Sequence, residues 1–261
     1  MSNIIISKRL TIINSISYIA ETFINTILSV WLQQYLLRQI SAEEYSLIAV
    51  LSSIMAFLPL LTTILTGGIG RYVVEAYAQG DESKVTSIVS SILPVLILAA
   101  FLVALIGFFA VQNLDLIVKI SLDQLPKAKI MLAIMIFSFI FRLVLAPFSI
   151  GLYVKQRFVY ENLIKLGSSL LKIALLLVLL FYVSTSVIWV IVASVLSDLF
   201  SLFMIIIISK KEIPSLRFNY RSIDISMLKK LISFGGWNFI GQFGSAIRQA
   251  ADPLILNRFA S

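Results

Sequence analysis

The stretch Val85–Val111, VTSIVSSILPVLILAAFLVALIGFFAV, runs for 27 residues without a single charge. A bilayer's hydrocarbon core is about 30 Å thick, and roughly 20 apolar residues cross it as a helix. A spanning backbone must satisfy its own hydrogen bonds, which leaves helices and closed barrels. A barrel needs alternating strands of about ten residues, and this sequence does not alternate. The stretch therefore reads as a transmembrane helix.

The rest of the chain follows the same pattern. Its 261 residues are 59% hydrophobic, with a mean hydropathy of +1.00, whereas about 45–50% apolar is ordinary for a soluble domain. Charged residues make up only 13% and cluster between apolar runs. The spans fall at Leu10–Leu37, Tyr45–Gly70, Val85–Val111, Ala128–Val154, Leu163–Val183 and Ser186–Ser209, with a seventh from Leu231 to Leu256. The expected fold is an all-α integral membrane protein, a six-helix transmembrane bundle plus the start of a seventh helix. Its parts are a bundle over 1–209, a cytoplasmic amphipathic linker over 210–230, and the first helix of a cut-short second bundle over 231–261.

Composition excludes much chemistry. With no cysteine and no histidine, thiol chemistry, disulfides, imidazole metal ligands and a Ser-His triad are all closed. No paired cytoplasmic acidic motif of the kind that holds metal-bound sugar nucleotides is present. No catalytic group, cofactor or metal is expected, and an enzyme is disfavoured. The net charge of +8 could suggest nucleic acid in a soluble protein. Here the cations sit in loops, which argues for anionic membrane lipid as the partner instead.

The loops also set the orientation. A cytoplasmic N-terminus places Lys8, Arg9, Arg71, Lys84, Lys155, Arg157, Lys165, Lys210, Lys211, Arg217, Arg221, Lys229 and Lys230 inside, and only Arg38, Lys119, Lys127 and Lys129 outside. The glycine-rich stretch Gly67-Gly68-Ile69-Gly70 then ends the second span at the cytoplasmic face, after a bend allowed by Pro59. Residues Arg71–Gln79 can lie along the surface before the Gly80-Asp81 turn, and Ile223–Leu231 can rest on the inner leaflet. No strand precedes the glycines, so they are not a nucleotide-phosphate loop.

The first and seventh helices look related at an offset of 220 residues: Ile12, Phe23, Ile27, Leu36, Arg38 and Ser41 match Ile232, Phe243, Ile247, Leu256, Arg258 and Ser261. Both carry a polar stripe at helical spacing: Asn14, Tyr18, Glu21, Asn25, Ser29 and Gln33 in one, Asn238, Gln242, Ser245, Gln249 and Asp252 in the other. Two readings fit such a stripe, a polar seam between packed helices or a wall of a shared aqueous cavity. A six-helix repeat led by such helices suits a two-bundle transporter.

Five segments carry a family resemblance in order: LLRQISAEEYSLIAVLSSI (36–54), GGIGRYVVEAYAQGD (67–81), GLYVKQRFVYENL (151–163), SIDISMLKKLISFGGWNFIGQ (222–242) and DPLILNRF (252–259). Together they resemble the polysaccharide-transporter branch of the multidrug/oligosaccharidyl-lipid/polysaccharide exporter superfamily, which includes flippases for O-antigen and other lipid-linked oligosaccharides. The resemblance implies a MATE-like half-transporter in the bacterial inner (cytoplasmic) membrane, the N-terminal half of a fold with twelve to fourteen helices. It implies a lipid-linked oligosaccharide as substrate during surface polysaccharide biosynthesis, with a polysaccharide polymerase and glycosyltransferases as partners.

Six ionisable residues lie inside spans: Glu21, Arg142, Lys172, Asp198, Arg248 and Asp252. Each is costly at the bilayer centre and must be paired or hydrated. Arg248 and Asp252 can pair along one helix; Arg142, Lys172 and Asp198 can form an interhelix cluster or contribute to a pathway. A pyrophosphate-linked substrate would need planar, multidentate cations, which selects Arg142, Arg248 and Lys172, with Asn25 and Gln249 on the stripes and Arg71 at the mouth. Arg71 serves equally as an anchor for lipid phosphate. Glu21, Asp252 and Asp198 are the carboxylates that could carry a coupling ion. Alternatives are a drug or cation exporter of the same superfamily, which the interior cations disfavour, and a fragment that does not transport.

Overall fold

The computed structural model describes residues 8–241. Gln242, Ser245, Arg248, Gln249 and Asp252, with the rest of the expected seventh span beyond residue 241, lie outside the described residues. Among the described residues the chain is helix and turn, without a strand. The elements are α1 (Lys8–Gln39), α2 (Ala42–Met55), α3 (Leu58–Thr66), α4 (Ile69–Ala78), α5 (Glu82–Gln112), α6 (Leu114–Ile117), α7 (Leu125–Leu145), α8 (Gly151–Val154), α9 (Phe158–Tyr182) and α10 (Ile188–Glu212). A last helix, α11, covers residues 225–241. Its beginning precedes the expected start near Leu231, because Asp224 accepts from the backbone N–H groups of Ser226 and Met227 and caps it there.

Five stretches are long and apolar enough to cross a membrane: Ala42–Ala78, Glu82–Gln112, Leu125–Val154, Phe158–Tyr182 and Ile188–Glu212. The helix α1 has the length, 32 residues, but its polar stripe keeps it out of that set. Chain direction alternates, so two ends of the bundle can be named. One gathers Lys84, Lys155, Arg157, Lys210 and Lys211 and is called the basic end; the other holds the α1–α2 turn and the segment between α9 and α10.

Local chemistry sets the boundaries. Gly80 has φ +73 and makes the turn that Asp81 then caps for α5, accepting from Lys84 N–H at 2.9 Å. Ser41 caps α2 through Glu44 N–H, while Lys210 and Lys211 sit in the last turn of α10, where the helix dipole favours cations. The bend expected at Pro59 falls just before it, at Ala56-Phe57, with Pro59 in the first turn of α3, where no N–H is needed. Pro147 sits in a 3-10 turn (Ala146–Phe148), whereas Pro94 lies inside an uninterrupted α5.

The second span does not stop at its glycines. After a short break the chain continues as α4, whose Ile69, Val73 and Ala76 are buried. Instead of lying flat on the surface, α4 packs on α5 and α8. Gly67 and Gly68 face α11, while Gly70 faces Tyr153 and Ile150. A Cβ at Gly67 would lie 3.2 Å from Asn238 Nδ2 and 3.6 Å from Gly235 Cα, and one at Gly68 would lie 3.0 Å from Leu231 O. A Cβ at Gly235 would run into the Ile64 carbonyl. Backbone meets backbone there, a contact only small residues permit. Gly151 does the same against Ser209 on α10, 2.6 Å from its carbonyl oxygen.

The linker after α10 is tied to α5 rather than loose. Thr86 Oγ1 donates to Ser215 O at 2.9 Å; Ser90 Oγ accepts from Asn219 N–H at 2.9 Å and Ser91 Oγ from Asp224 N–H at 2.8 Å. Ile213 and Leu216 are buried beneath it, while Phe218, Tyr220, Ile223 and Ile225 remain exposed. One apolar cluster therefore fills the basic end, built from α3, α4, α5, the end of α7 with the turn after it, α8, α10, the linker and the start of α11. A second fills the opposite end, from α1, α2, α7, α9 and α10. That end is clamped by Glu44, whose carboxylate accepts from Lys127 and from Val187 N–H, joining three segments.

The glycine contacts are directly testable. Gly235→Ala and Gly151→Ala are expected to cost about 1–3 kcal/mol each through overpacking, whereas Gly236→Ala and Gly167→Ala, which meet nothing within 4 Å, should leave thermal unfolding in detergent unchanged. Equal behaviour of the two pairs would contradict the close crossing.

Candidate functional site

Between the two apolar clusters lies a polar layer. On α7 it holds Ser138 and Arg142, on α9 Ser168 and Lys172, and on α10 Ser194, Ser197 and Asp198. At 1.5 Å per residue Lys172 and Asp198 stand about 15–21 Å from either end of α9 and α10, and Arg142, in the last turn of α7, stands about 18 Å from the end of the span Leu125–Val154, inside a hydrocarbon core of about 30 Å. Ser168 Oγ donates to Ser197 O at 2.6 Å and joins α9 to α10 beside the charges.

The expected cluster of Arg142, Lys172 and Asp198 is present in this layer. Arg142 Nη1 stands 3.5 Å from Asp198 Oδ2, and Lys172 lies within electrostatic reach of the same carboxylate. The Arg142 and Asp198 side chains are 61% and 50% exposed. Pairing alone does not solve their desolvation, because an ion pair left facing lipid would still lose most of its hydration. This flank of the bundle must face water or further protein.

Glu21 and Asn25 sit one turn apart on α1. Asn25 Nδ2 donates to Glu21 Oε1 at 2.5 Å, and Thr22 Oγ1 donates to the other carboxylate oxygen at 3.4 Å. Both residues are half-buried along the contact with α9, in line with Asn14, Ser17, Leu28 and Leu32. Below them Asn14 Nδ2 donates to Gln156 O at 3.1 Å and Asn162 Nδ2 to Ser17 Oγ at 2.8 Å. This half of the stripe is a seam between packed helices. Tyr18, Ser29 and Gln33, together with Ser15, Thr22 and Thr26, are exposed on one flank of it, and Ile12, Ile16, Ile19, Phe23 and Ile27 form the opposite apolar face. The seam reading thus applies to the side against α9, and the other flank is exposed.

Arg71 is exposed at the basic end, far from the central layer. Its guanidinium lies 4.8 Å from the ring centroid of Phe234 on α11 and 5.8 Å from that of Tyr72. Arg248, Gln249 and Asp252 lie outside the described residues.

Sequence reasoning missed three features: the Glu44 clamp, the Thr86/Ser90/Ser91 tether and the serines of the central layer. Ser41 followed by Glu44, a capping-box spacing, was the available signal for the first. The serines had none, since serine is common in any apolar helix.

A chain whose described residues are helix and turn, with five apolar spans among them and charges inside three of those spans, is a multi-pass membrane protein. The family model described as polysaccharide biosynthesis protein matches residues 12–261. The chain belongs to that family, as its five motifs suggested. No curated protein and no solved structure matches the chain.

Because the sequence contains no cysteine, single cysteines can report exposure without background. Arg142→Cys and Asp198→Cys are expected to react with a membrane-impermeant thiol reagent, and Ser168→Cys and Ser197→Cys, both buried, to be protected. Protection of the first two would place the charge pair against protein instead of water.

Proposed function

We propose that this protein is a transporter that flips a lipid-linked oligosaccharide, a polysaccharide repeat unit, from the cytoplasmic to the outer leaflet of a bacterial inner membrane. The observation that carries the reading is the exposed Arg142–Asp198 pair with Lys172 beside it, at mid-depth in a member of a polysaccharide biosynthesis family. In this reading the N-terminus is cytoplasmic, the six spans counted from sequence form one bundle, and α11 opens a second one.

The chemistry is an exchange of anions. Asp198 neutralises Arg142 while the pathway is empty. An arriving pyrophosphate offers more oxygens than a carboxylate and displaces it, and the planar guanidinium makes a bidentate contact that replaces lost water. Lys172 adds a second cation without a fixed geometry. Arg71 serves at the cytoplasmic mouth, and Arg248 and Gln249 provide the second bundle's share. Glu21, bonded among the described residues by Asn25 and Thr22 of its own helix, is the carboxylate that takes up a coupling proton or sodium ion; Asp252, on the second polar stripe of the sequence, is the other candidate. The work is transport, not bond-making, with the polymerase and glycosyltransferases acting before and after it.

Two outcomes test this. In cells whose chromosomal copy carries Arg142→Gln, export of the repeat unit should fall about 10- to 100-fold, the worth of one charged hydrogen bond. Lipid-linked units should accumulate on the cytoplasmic leaflet, with Arg142→Lys retaining part of the activity. Unchanged export in Arg142→Gln would falsify the pathway. Glu21→Gln should uncouple transport from the ion gradient while leaving substrate binding in place, read as flux with and without an ionophore.

A further inference from the structure

Apart from Arg71 at its edge, the groove between α4 and α11 at the basic end is not used by the transport pathway above. It is an open cavity of about 350 Å³ lined by Tyr72, Lys229, Lys230, Ser233, Phe234 and Trp237. Arg71 stands at its edge, stacked on Phe234. The nearby acids are engaged elsewhere: Glu75 lies 3.4 Å from Lys84, and Asp224 caps α11. Among the described residues no carboxylate pairs with Arg71, Lys229 or Lys230.

The order of residues along α11 says what kind of anion fits. Lys230, Ser233, Trp237 and Ile240 recur at spacings of three and four and are all exposed, Trp237 by 71%. Over about 15 Å of helix this face passes from cation to hydroxyl to indole to aliphatic chain. That sequence of chemistries matches the depth profile of a lipid itself: phosphate, glycerol and ester, then acyl chain. Tryptophan prefers the ester level of a bilayer, and lysine one turn or two above it reaches the phosphates. A soluble anion would need the cations but not the apolar descent below them.

We propose that this groove docks an anionic phospholipid of the leaflet at the basic end, with Arg71, Lys229 and Lys230 on its phosphate, Ser233 at the glycerol ester, and Trp237 and Ile240 along an acyl chain. The lipid bridges α4 and α11 and so fastens the first bundle to the helix that follows it. The site stands independently of whether the protein flips oligosaccharides.

The protein's three tryptophans provide the assay. In a Trp31→Phe, Trp189→Phe background, Trp237 alone reports, and quenching by phosphatidylglycerol brominated on its acyl chains is compared with brominated phosphatidylcholine in reconstituted vesicles. The expected result is a preference for phosphatidylglycerol of about fivefold or more, the worth of one cation near an anionic leaflet. It should collapse towards equality in Arg71→Gln/Lys229→Gln/Lys230→Gln and persist in Lys210→Gln/Lys211→Gln. Should the triple variant not fold, Lys230→Gln alone must weaken the preference and Lys229→Arg/Lys230→Arg preserve it. Equal quenching by both lipids overturns the proposal, as does equal loss in the Lys210/Lys211 control. Removal of the preference by millimolar inorganic phosphate would assign the groove to a soluble anion and also overturn it.

Discussion

The structure turns on the cost of taking Arg142 and Asp198 out of water. A charge at the bilayer centre costs roughly 2.5–3.5 kcal/mol on insertion scales, and these two stand inside their spans with half or more of each side chain exposed. Their 3.5 Å contact lowers that cost without removing it. The helices α7, α9 and α10 therefore cannot all turn their outer faces to lipid, as a closed six-helix bundle would. One side must be completed by water or by further helices. That requirement gives the bundle a front and a back, and it explains why two apolar clusters close the ends while serines and charges occupy the level between them.

Much of the helical layout was legible because apolar runs of this length have few alternatives in a bilayer. The limits of legibility appear at particular residues. Gly67 and Gly68 announced a break, and the break exists, but nothing local revealed that α4 would resume and bury Val73 and Ala76. That depended on α5 and α8, which lie close only in the fold. The reason for the glycines was likewise distant, a crossing with Gly235 more than 160 residues later. The linker read as a surface segment from its lysines and arginines. Its fastening to Thr86, Ser90 and Ser91 could not be seen, because a hydroxyl on an apolar helix usually bonds its own helix, as Ser90 also does with Thr86 O at 2.7 Å.

The charged residues of the site were legible for a different reason. Burial in a membrane makes an ionisable residue conspicuous in one dimension, so Arg142, Lys172 and Asp198 stood out before any fold was known. Their convergence was a matter of depth. Helices that cross the same slab in alternating directions bring their middles to one level whatever their order, so three mid-span charges meet if their faces agree. The faces were the uncertain part, and the Ser168–Ser197 contact shows that the α9 and α10 faces do agree. Depth does less for Glu21 and Asn25. A single helix stripe does not state which neighbour it meets, and α9 covers only one edge of it.

The contacts among α1–α10 and the contacts to α11 differ in kind. Among α1–α10, helices are joined by specific polar ties: Glu44 to Lys127 and Val187, Asn162 to Ser17, Ser168 to Ser197, and Ser209 to Ser149 O at 3.0 Å. Such ties have one good geometry, and shifting a helix by a fraction of a turn breaks them. Against α11 the contact rests largely on backbone passing backbone at Gly67, Gly68 and Gly235 and on rings against Arg71. Close packing without side-chain interdigitation has several nearly equal registers, and a guanidinium over an aromatic face tolerates sliding. The polar ties therefore hold α1–α10 in one register, whereas the glycine crossing constrains α11 less.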